Sequence, residues 1–242
     1  MDFISGELLC VDKPLGWTSF DVVKRLRGAI QRKMNVKKFK VGHAGTLDPL
    51  ATGVLIICTG RGTRRIEELQ AGTKEYIATI KFGATTPSFD LEKEIDAIYP
   101  FEHITKKRLE DVLPDFTGKI MQVPPVFSAV KISGKRAYNF DRKGKDVELK
   151  PKELEITELE LLEYDLPIVK LRIVCSKGTY IRALARDLGV ALESGAHLIG
   201  LRRTRVGEVC VQDCLSVDDM IKRIEDEPLT YPEDFQLIEE NK

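Results

Sequence analysis

The chain has 242 residues, 43% hydrophobic and 31% charged, with 38 Lys plus Arg balancing 38 Asp plus Glu. This composition excludes disordered, fibrous and collagen-like chains. It leaves a soluble globular protein with room for a real core, as one large domain or two small ones. Zero net charge also counts, at first sight, against a nucleic-acid binder, which normally carries net positive charge.

Leu8 to Val11 reads as a short strand that runs into Lys13-Pro14-Leu15-Gly16, a turn by its Pro and Gly. Thr18 and Asp21 have the spacing of a capping box. Val22, Val23, Leu26 and Ile30 then fall on one helical face, with Lys24, Arg27 and Gln31 off it. Val41 opens a Gly-rich loop that ends at Val54-Leu55-Ile56-Ile57-Cys58, the pattern of a fully buried strand. Tyr76 to Phe82 alternates as a strand, and residues 105–113 suggest a helix. Gln122 to Lys131 contains Pro124-Pro125 and leads into a basic, Gly-containing stretch to Gly144, an exposed loop or hairpin. Leu154 to Leu162 and Ile168 to Cys175 read as paired strands. Tyr180 to Glu193 is the clearest helix, with Ile181, Leu184, Ala185, Leu188 and Leu192 on one face. Leu198 to Val206 and Val209 to Val211 are strands, and Val217 to Ile224 is a last short helix. Strands in runs, interrupted by few helices, point to α+β rather than a regular βαβ alternation.

The run Val54 to Cys58 is too short to cross a bilayer, and Met1 to Val11 has acids and no basic n-region, so neither a membrane span nor a signal peptide is expected. Cys10, Cys58, Cys175, Cys210 and Cys214 form an odd set without a CxxC pair. Free thiols in a reducing cytoplasm are the simplest expectation.

The zero net charge conceals an asymmetry. Residues 208–242 hold 11 acids and 3 bases, a net of −8, which leaves residues 1–207 at +8. From Val22 to Ile66 there are 11 Lys/Arg and one acid, Asp48. Further basic groups run from Lys131 to Lys150 and from Lys170 to Arg205. Each group alone is ordinary solvated charge; together they suggest a basic face for a polyanion.

The most informative segment is Gly42-His43-Ala44-Gly45-Thr46-Leu47-Asp48-Pro49-Leu50-Ala51-Thr52-Gly53. Its glycines permit tight turns, and Pro49 biases Asp48 toward an extended conformation. Among so many cations the carboxylate is held ionised, which suits a nucleophile or base better than a general acid. A turn Asp serving its own loop accounts for the same residue, and the spacing does not separate the two. Arg182 falls in the first turn of a helix, where the dipole disfavours a cation by roughly 0.3–1 kcal/mol. A carboxylate or phosphate partner would compensate. Tyr76 and Tyr180 fit either core positions or stacking on a base. The loop lacks the ending of a phosphate-binding P-loop, and the dispersed His43, His103 and His197 do not make a metal site.

These residues resemble the TruB family of tRNA pseudouridine synthases. The catalytic-loop segment matches, as do Leu8-Leu9-x-Val11-Asp12-Lys13-Pro14-x-Gly16-Trp17-Thr18-Ser19, Lys74-x-Tyr76 and Gln122-x-Pro124-Pro125-x-x-Ser128-Ala129-x-Lys131. So do Cys175-Ser176-Lys177-Gly178-Thr179-Tyr180-Ile181-Arg182 and Ala196-His197-Leu198-x-x-Leu201-Arg202-Arg203. The matches span roughly residues 7–207.

The resemblance implies a pseudouridine synthase fold: α+β, with a mixed, mostly antiparallel central sheet flanked by helices. It also implies a catalytic domain over residues 1–207 with an RNA-binding finger at about 122–150. The implied reaction isomerises uridine 55 in the tRNA T-loop, without cofactor or metal. Asp48 is then the catalytic aspartate. Tyr76 packs against the target base, with proton transfer a further role open to it, and Arg182 pairs with Asp48. His43 stacks where the flipped base leaves the loop, Tyr180 and Leu201 line the base pocket, and Lys13 helps hold the RNA. The expected partner is the tRNA T-arm, bound by a cytoplasmic monomer. The spelling Pro49-Leu50-Ala51-Thr52-Gly53 and the length favour a stand-alone enzyme over a guide-RNA subunit. Intact Asp48, Tyr76 and Arg182 favour catalysis over a purely chaperone role. Residues 208–242 are expected as a short acidic extension rather than a complete PUA-type RNA-binding domain. Departures from the family pattern are Ala44, Thr46, Ser88, Asp141 and Leu149.

Overall fold

The computed structural model describes residues 1–125, 131–132, 135–136 and 149–233. They form two compact units, one made of Met1–Gly72 together with the chain from Arg205 onward, the other of Thr73–Thr204. In chain order the first unit carries β1 (Leu8–Lys13), α1 (Ser19–Met34), β2 (Val41–His43), β3 (Ala51–Thr59) and α2 (Ile66–Ala71). The second begins with β4 (Lys74–Phe82), β5 (Ala84–Thr85), β6 (Ala97–Ile98), α3 (Lys106–Val112) and β7 (Gly118–Gln122). It continues with β8 (Lys131–Ile132), β9 (Lys135–Arg136), β10 (Lys152–Asp165), β11 (Ile168–Cys175), α4 (Ile181–Ala191) and β12 (Ala196–Val206). β13 (Val209–Cys210) and α5 (Val217–Asp226) return to the first unit. This is the expected α+β architecture.

In the first unit β1 and β3 pair antiparallel, Val11 opposite Leu55, and β2 also pairs antiparallel with β3. The continuous apolar run of β3 is buried along almost its whole length, as a strand covered on both faces must be. α1 starts where the capping box predicts: the Thr18 hydroxyl accepts from the Asp21 N–H, and the Asp21 carboxylate accepts from the Thr18 N–H at 2.9 Å. It stops at Asn35, whose left-handed backbone (φ 54°) turns the chain out. Its apolar face, with Val22, Val23, Leu26, Ala29 and Ile30, joins Leu55 and Ile57 of β3 and Val217, Met220 and Ile224 of α5 in one core. At about 1.5–3 kcal/mol for each fully buried aliphatic side chain, this core is the main stabiliser of the unit. The acidic segment after residue 207 is thus no loose appendage as far as α5. Leu215 also forms a parallel bridge to Val11, with Asp12 N–H to Leu215 C=O at 2.8 Å and Leu215 N–H to Cys10 C=O at 3.1 Å.

The second unit is a sheet in the order β12-β4-β11-β10-β7. The pairings β4–β11, β11–β10 and β10–β7 are antiparallel. β4 alternates strictly, burying Lys74, Tyr76, Ala78, Ile80 and Phe82, while β11 buries Val169, Leu171 and Ile173. α4 buries Ile181, Ala183, Leu184, Ala185 and Leu188 on the face its spacing predicts. The short β2, β5, β6, β7 and α2 were not expected, because their few residues show no alternation or helical period of their own. The expected finger over 122–150 lies largely outside the described residues. Among those residues no helix is long and apolar enough to cross a membrane.

Candidate active site

Asp48 lies on the connection between β2 and β3, and both of its chain neighbours are fastened. On one side the Ser19 hydroxyl accepts from the Leu47 N–H (2.8 Å) and donates to the Leu47 C=O (3.1 Å), in a buried setting. On the other side the Pro49 C=O accepts from the Gly16 N–H at 2.8 Å and from the Lys13 ammonium at 3.4 Å. A tight turn, Ala51 N–H to Asp48 C=O at 3.0 Å, closes the segment, with Gly45 (φ 101°) and Gly53 (φ 105°) supplying backbone conformations costly to other residues. Leu47 is buried and Asp48 half-buried. The carboxylate is therefore mounted on a backbone fixed from both directions, the preorganisation an attacking or proton-accepting group needs.

Lys13 has an unexpected place. It is fully buried (0% exposed), and its ammonium donates to the C=O groups of Pro14 (2.9 Å), Trp17 (2.6 Å) and Pro49. Its charge is spent inside the fold, joining the Gly16 turn to the Asp48 loop. The family resemblance assigns Lys13 a part in holding the RNA; its burial, rare for a lysine, follows from the close approach of two turns. His43 ends β2, opposite Ile57.

The other expected residues stand in the second unit. Tyr76 is buried on β4, two positions from Lys74 on the same face, and registers with Ile173. Tyr180 is the N-cap of α4; its N–H donates to the Gln122 side-chain oxygen (2.9 Å), while the Gln122 amide donates back to its C=O (3.2 Å). Arg182 is 5% exposed in the first turn of α4. It ion-pairs with Asp90 at 3.6 Å and donates to the Ser88 C=O at 3.2 Å. The helix dipole argument called for a carboxylate here, and Asp90 is one. Leu201 is half-buried on β12, next to Gly200, where an added Cβ would lie 3.3 Å from the Thr79 hydroxyl of β4. Gln122, Ser88 and Asp90 lie in segments that the family resemblance picks out, but composition and periodicity gave them no role.

Lys74 is a buried cation of this unit. Burial first, and then the charges of Arg203 and Lys177, push its amine down to about 8. Burial pushes the Cys58 and Cys175 thiols up to about 11, which makes them poor nucleophiles. All five cysteines are free. Among the described residues no group of three or more His, Cys, Asp or Glu is placed to hold a metal ion.

A strand-rich α+β fold with an aspartate locked on a Gly-rich loop and a buried arginine at a helix start suits an enzyme that works through a fixed carboxylate. The TruB family pseudouridylate synthase N-terminal domain matches residues 31–181, and the tRNA pseudouridylate synthase B C-terminal domain matches residues 182–230. The chain is 65% identical over 226 residues to a tRNA pseudouridine synthase B of Parabacteroides distasonis, covering 92% of this chain and 96% of that one. It is 67% identical over 218 residues to the protein of the same name in Phocaeicola vulgatus, covering 90% and 93%. Among solved structures it resembles one in a Cbf5-Nop10-Gar1 complex, with a TM-score of 0.67 and 29% identity. That match covers 92% of this chain but spans only 55% of the solved one. The chain belongs to the TruB family of pseudouridylate synthases, enzymes that isomerise uridine to pseudouridine.

Proposed function

We propose that this protein is a stand-alone tRNA pseudouridine synthase that isomerises uridine 55 of the T-loop, with Asp48 as its catalytic group. The observation that carries this is the similarity, over nine-tenths of the chain or more, to relatives named tRNA pseudouridine synthase B. The doubly fastened Asp48 loop supports the residue assignment. A nucleotide in a stacked loop hides its glycosidic carbon, so the enzyme flips the uridine into a pocket. The C1′–N1 bond breaks, the uracil turns, and a C1′–C5 bond forms. C5 then loses its proton, and N1 ends protonated. The product has the atoms of the substrate and no electrons are gained or lost.

In this reading Asp48 acts as nucleophile or base, and Tyr76 packs against the flipped base and is a candidate for the C5 proton transfer. Tyr180 and Leu201 line the pocket, and His43 meets the strand where the base leaves it. Arg182, paired with Asp90 inside its own unit, serves the carboxylate of Asp48 as a second partner. Lys13 helps hold the RNA, and its bond to the Pro49 C=O also ties the Asp48 loop in place. The 122–150 segment forms the finger over the T-loop, and the tRNA T-arm is the partner, without a guide RNA. The free cysteines suit a reducing cytoplasm.

The test is to incubate the protein with an unmodified tRNA transcript and map pseudouridine, comparing wild type with Asp48→Asn. Product is expected at the T-loop uridine with no guide RNA added. The variant should lose roughly a thousandfold or more in rate, about 4 kcal/mol of transition-state stabilisation, with an unchanged melting temperature. RNA binding without product from the wild-type protein would sink the proposal.

A further inference from the structure

One face of α1 has no role in the fold. At 100° per residue Phe20, Lys24, Arg27 and Gly28 form a single stripe, opposite the buried Val22, Val23, Leu26, Ala29 and Ile30. Phe20 is 59% exposed, unusual for a phenylalanine near the start of a helix, and the Arg27 guanidinium lies 5.9 Å from its ring centroid. Lys24 is exposed, and neither it nor Arg27 enters an ion pair among the described residues. The one acid of the helix, Asp21, is held in the capping box by Thr18. The last turn of α1 differs: Arg32 pairs with Glu225, and the Lys33 ammonium donates to the Glu225 C=O. The acidic segment therefore covers the end of the helix and leaves the stripe bare.

Gly28 is an independent observation. Glycine is among the poorest helix formers, and in mid-helix it normally answers a packing need. Here a Cβ would meet only the tip of Arg32, at an ordinary 3.6 Å, so nothing within the fold asks for a glycine. A glycine beside two such cations gives a partner's backbone close access. The stripe also begins at the catalytic loop, since Ser19, in the first turn of α1, clamps Leu47 beside Asp48. At its far end the Gln31 amide donates to the Lys37 C=O (2.8 Å), and Lys37 and Lys38 are exposed.

We propose that the Phe20–Lys24–Arg27–Gly28 face of α1 is a docking track for the sugar-phosphate backbone of the substrate RNA, leading away from the base that reaches Asp48. Lys24 and Arg27 meet phosphates, Phe20 holds Arg27 in line, and Gly28 lets the strand lie against the helix. The assignment rests on the proposed RNA-modifying function and adds where the RNA runs.

The experiment measures binding of the full chain to an unmodified T-arm hairpin transcript over a salt series, with pseudouridine formation by the wild type scored on the same RNA. Removing one phosphate-binding cation lowers the slope of log affinity against log salt by about 0.7–0.9. Lys24→Ala with Arg27→Ala should therefore lower it by roughly 1.4–1.8. The control Lys107→Ala, on α3 and paired with Asp111, should leave it unchanged. Gly28→Gln should bind about tenfold more weakly with the wild-type slope, and should melt no lower than wild type because glutamine is the better helix former. A wild-type slope in the double variant, or wild-type affinity in Gly28→Gln, overturns the docking track while pseudouridine formation continues. Absence of pseudouridine from the wild type is the separate failure of the proposed function.

Discussion

Two stretches of this chain carry similar crowds of cations and use them in opposite ways. In the first unit Lys24, Arg25, Lys37, Lys38 and Arg64 are exposed to solvent. In the second unit several of the cations between Lys170 and Arg203 are matched with acids. Lys170 pairs with Glu163, Arg172 is clasped by Glu75, Glu158 and Glu160, and Arg182 pairs with Asp90. The difference comes from secondary structure. On a helix half-covered by a core, a basic face is simply the side left over. On β11, Lys170 and Arg172 lie beside glutamates of the neighbouring strands β10 and β4. A count of charges along the sequence treats these stretches alike; the fold separates an exposed basic surface from a framework of paired charges.

Breaking that framework at its most buried pair should cost most. Asp90→Ala takes one carboxylate away from the buried Arg182, and is expected to lower unfolding free energy by up to about 3–5 kcal/mol in urea titrations. In the first unit the comparable lock is neutral. Ser19→Ala removes both bonds to Leu47 and should cost about 1–3 kcal/mol. By loosening the backbone beside Asp48 it should also slow pseudouridine formation roughly 10- to 100-fold. If Ser19→Ala is destabilised yet catalyses at the wild-type rate, the loop is not held for catalysis.

A smaller effect tests Lys74. Below pH 8 its amine is protonated in both folded and unfolded chains, and the folded state bears the whole cost of burying the charge. Between about 8 and its ordinary 10.5 the folded state has shed the proton while the unfolded chain keeps it, so stability contributed here rises with pH. The raised thiols of Cys58 and Cys175 act the other way above pH 9.0, so the measurement is a difference. The urea midpoint of wild type relative to Lys74→Met should climb from pH 8 to 10. A flat difference would show that Lys74 titrates normally. The smallest expected change is Glu160→Gln, one arm of the exposed clasp on Arg172, which should cost below about 1 kcal/mol and diminish with added salt.

What could be read in advance follows the range of the forces involved. The capping box of Thr18 and Asp21, the face of α4 and the pairing of β10 with β11 depend on residues a few positions apart, and were legible. Asp48 stood out because glycine and proline mark its loop, and the family resemblance supplied its role. Lys13 inside the fold and the Asp90–Arg182 pair join residues distant in sequence, and no local pattern announces them. The charge of the last segment suggested an appendage, while its Val217, Met220 and Ile224 were the quieter and truer signal.

The bridge from Leu215 to Val11 and the seating of α5 on α1 have a consequence for how the molecule is made. The ribosome delivers Thr73–Thr204 as one uninterrupted stretch, free to complete its sheet while synthesis continues. The unit bearing Asp48 has to wait, because Val217, Met220 and Ile224 of its core leave the exit tunnel last. Translation order is thereby reversed in folding: the part made first is finished second. A nascent chain halted before Val217 would hold Asp48 and lack the α5 side chains that complete the core of its unit.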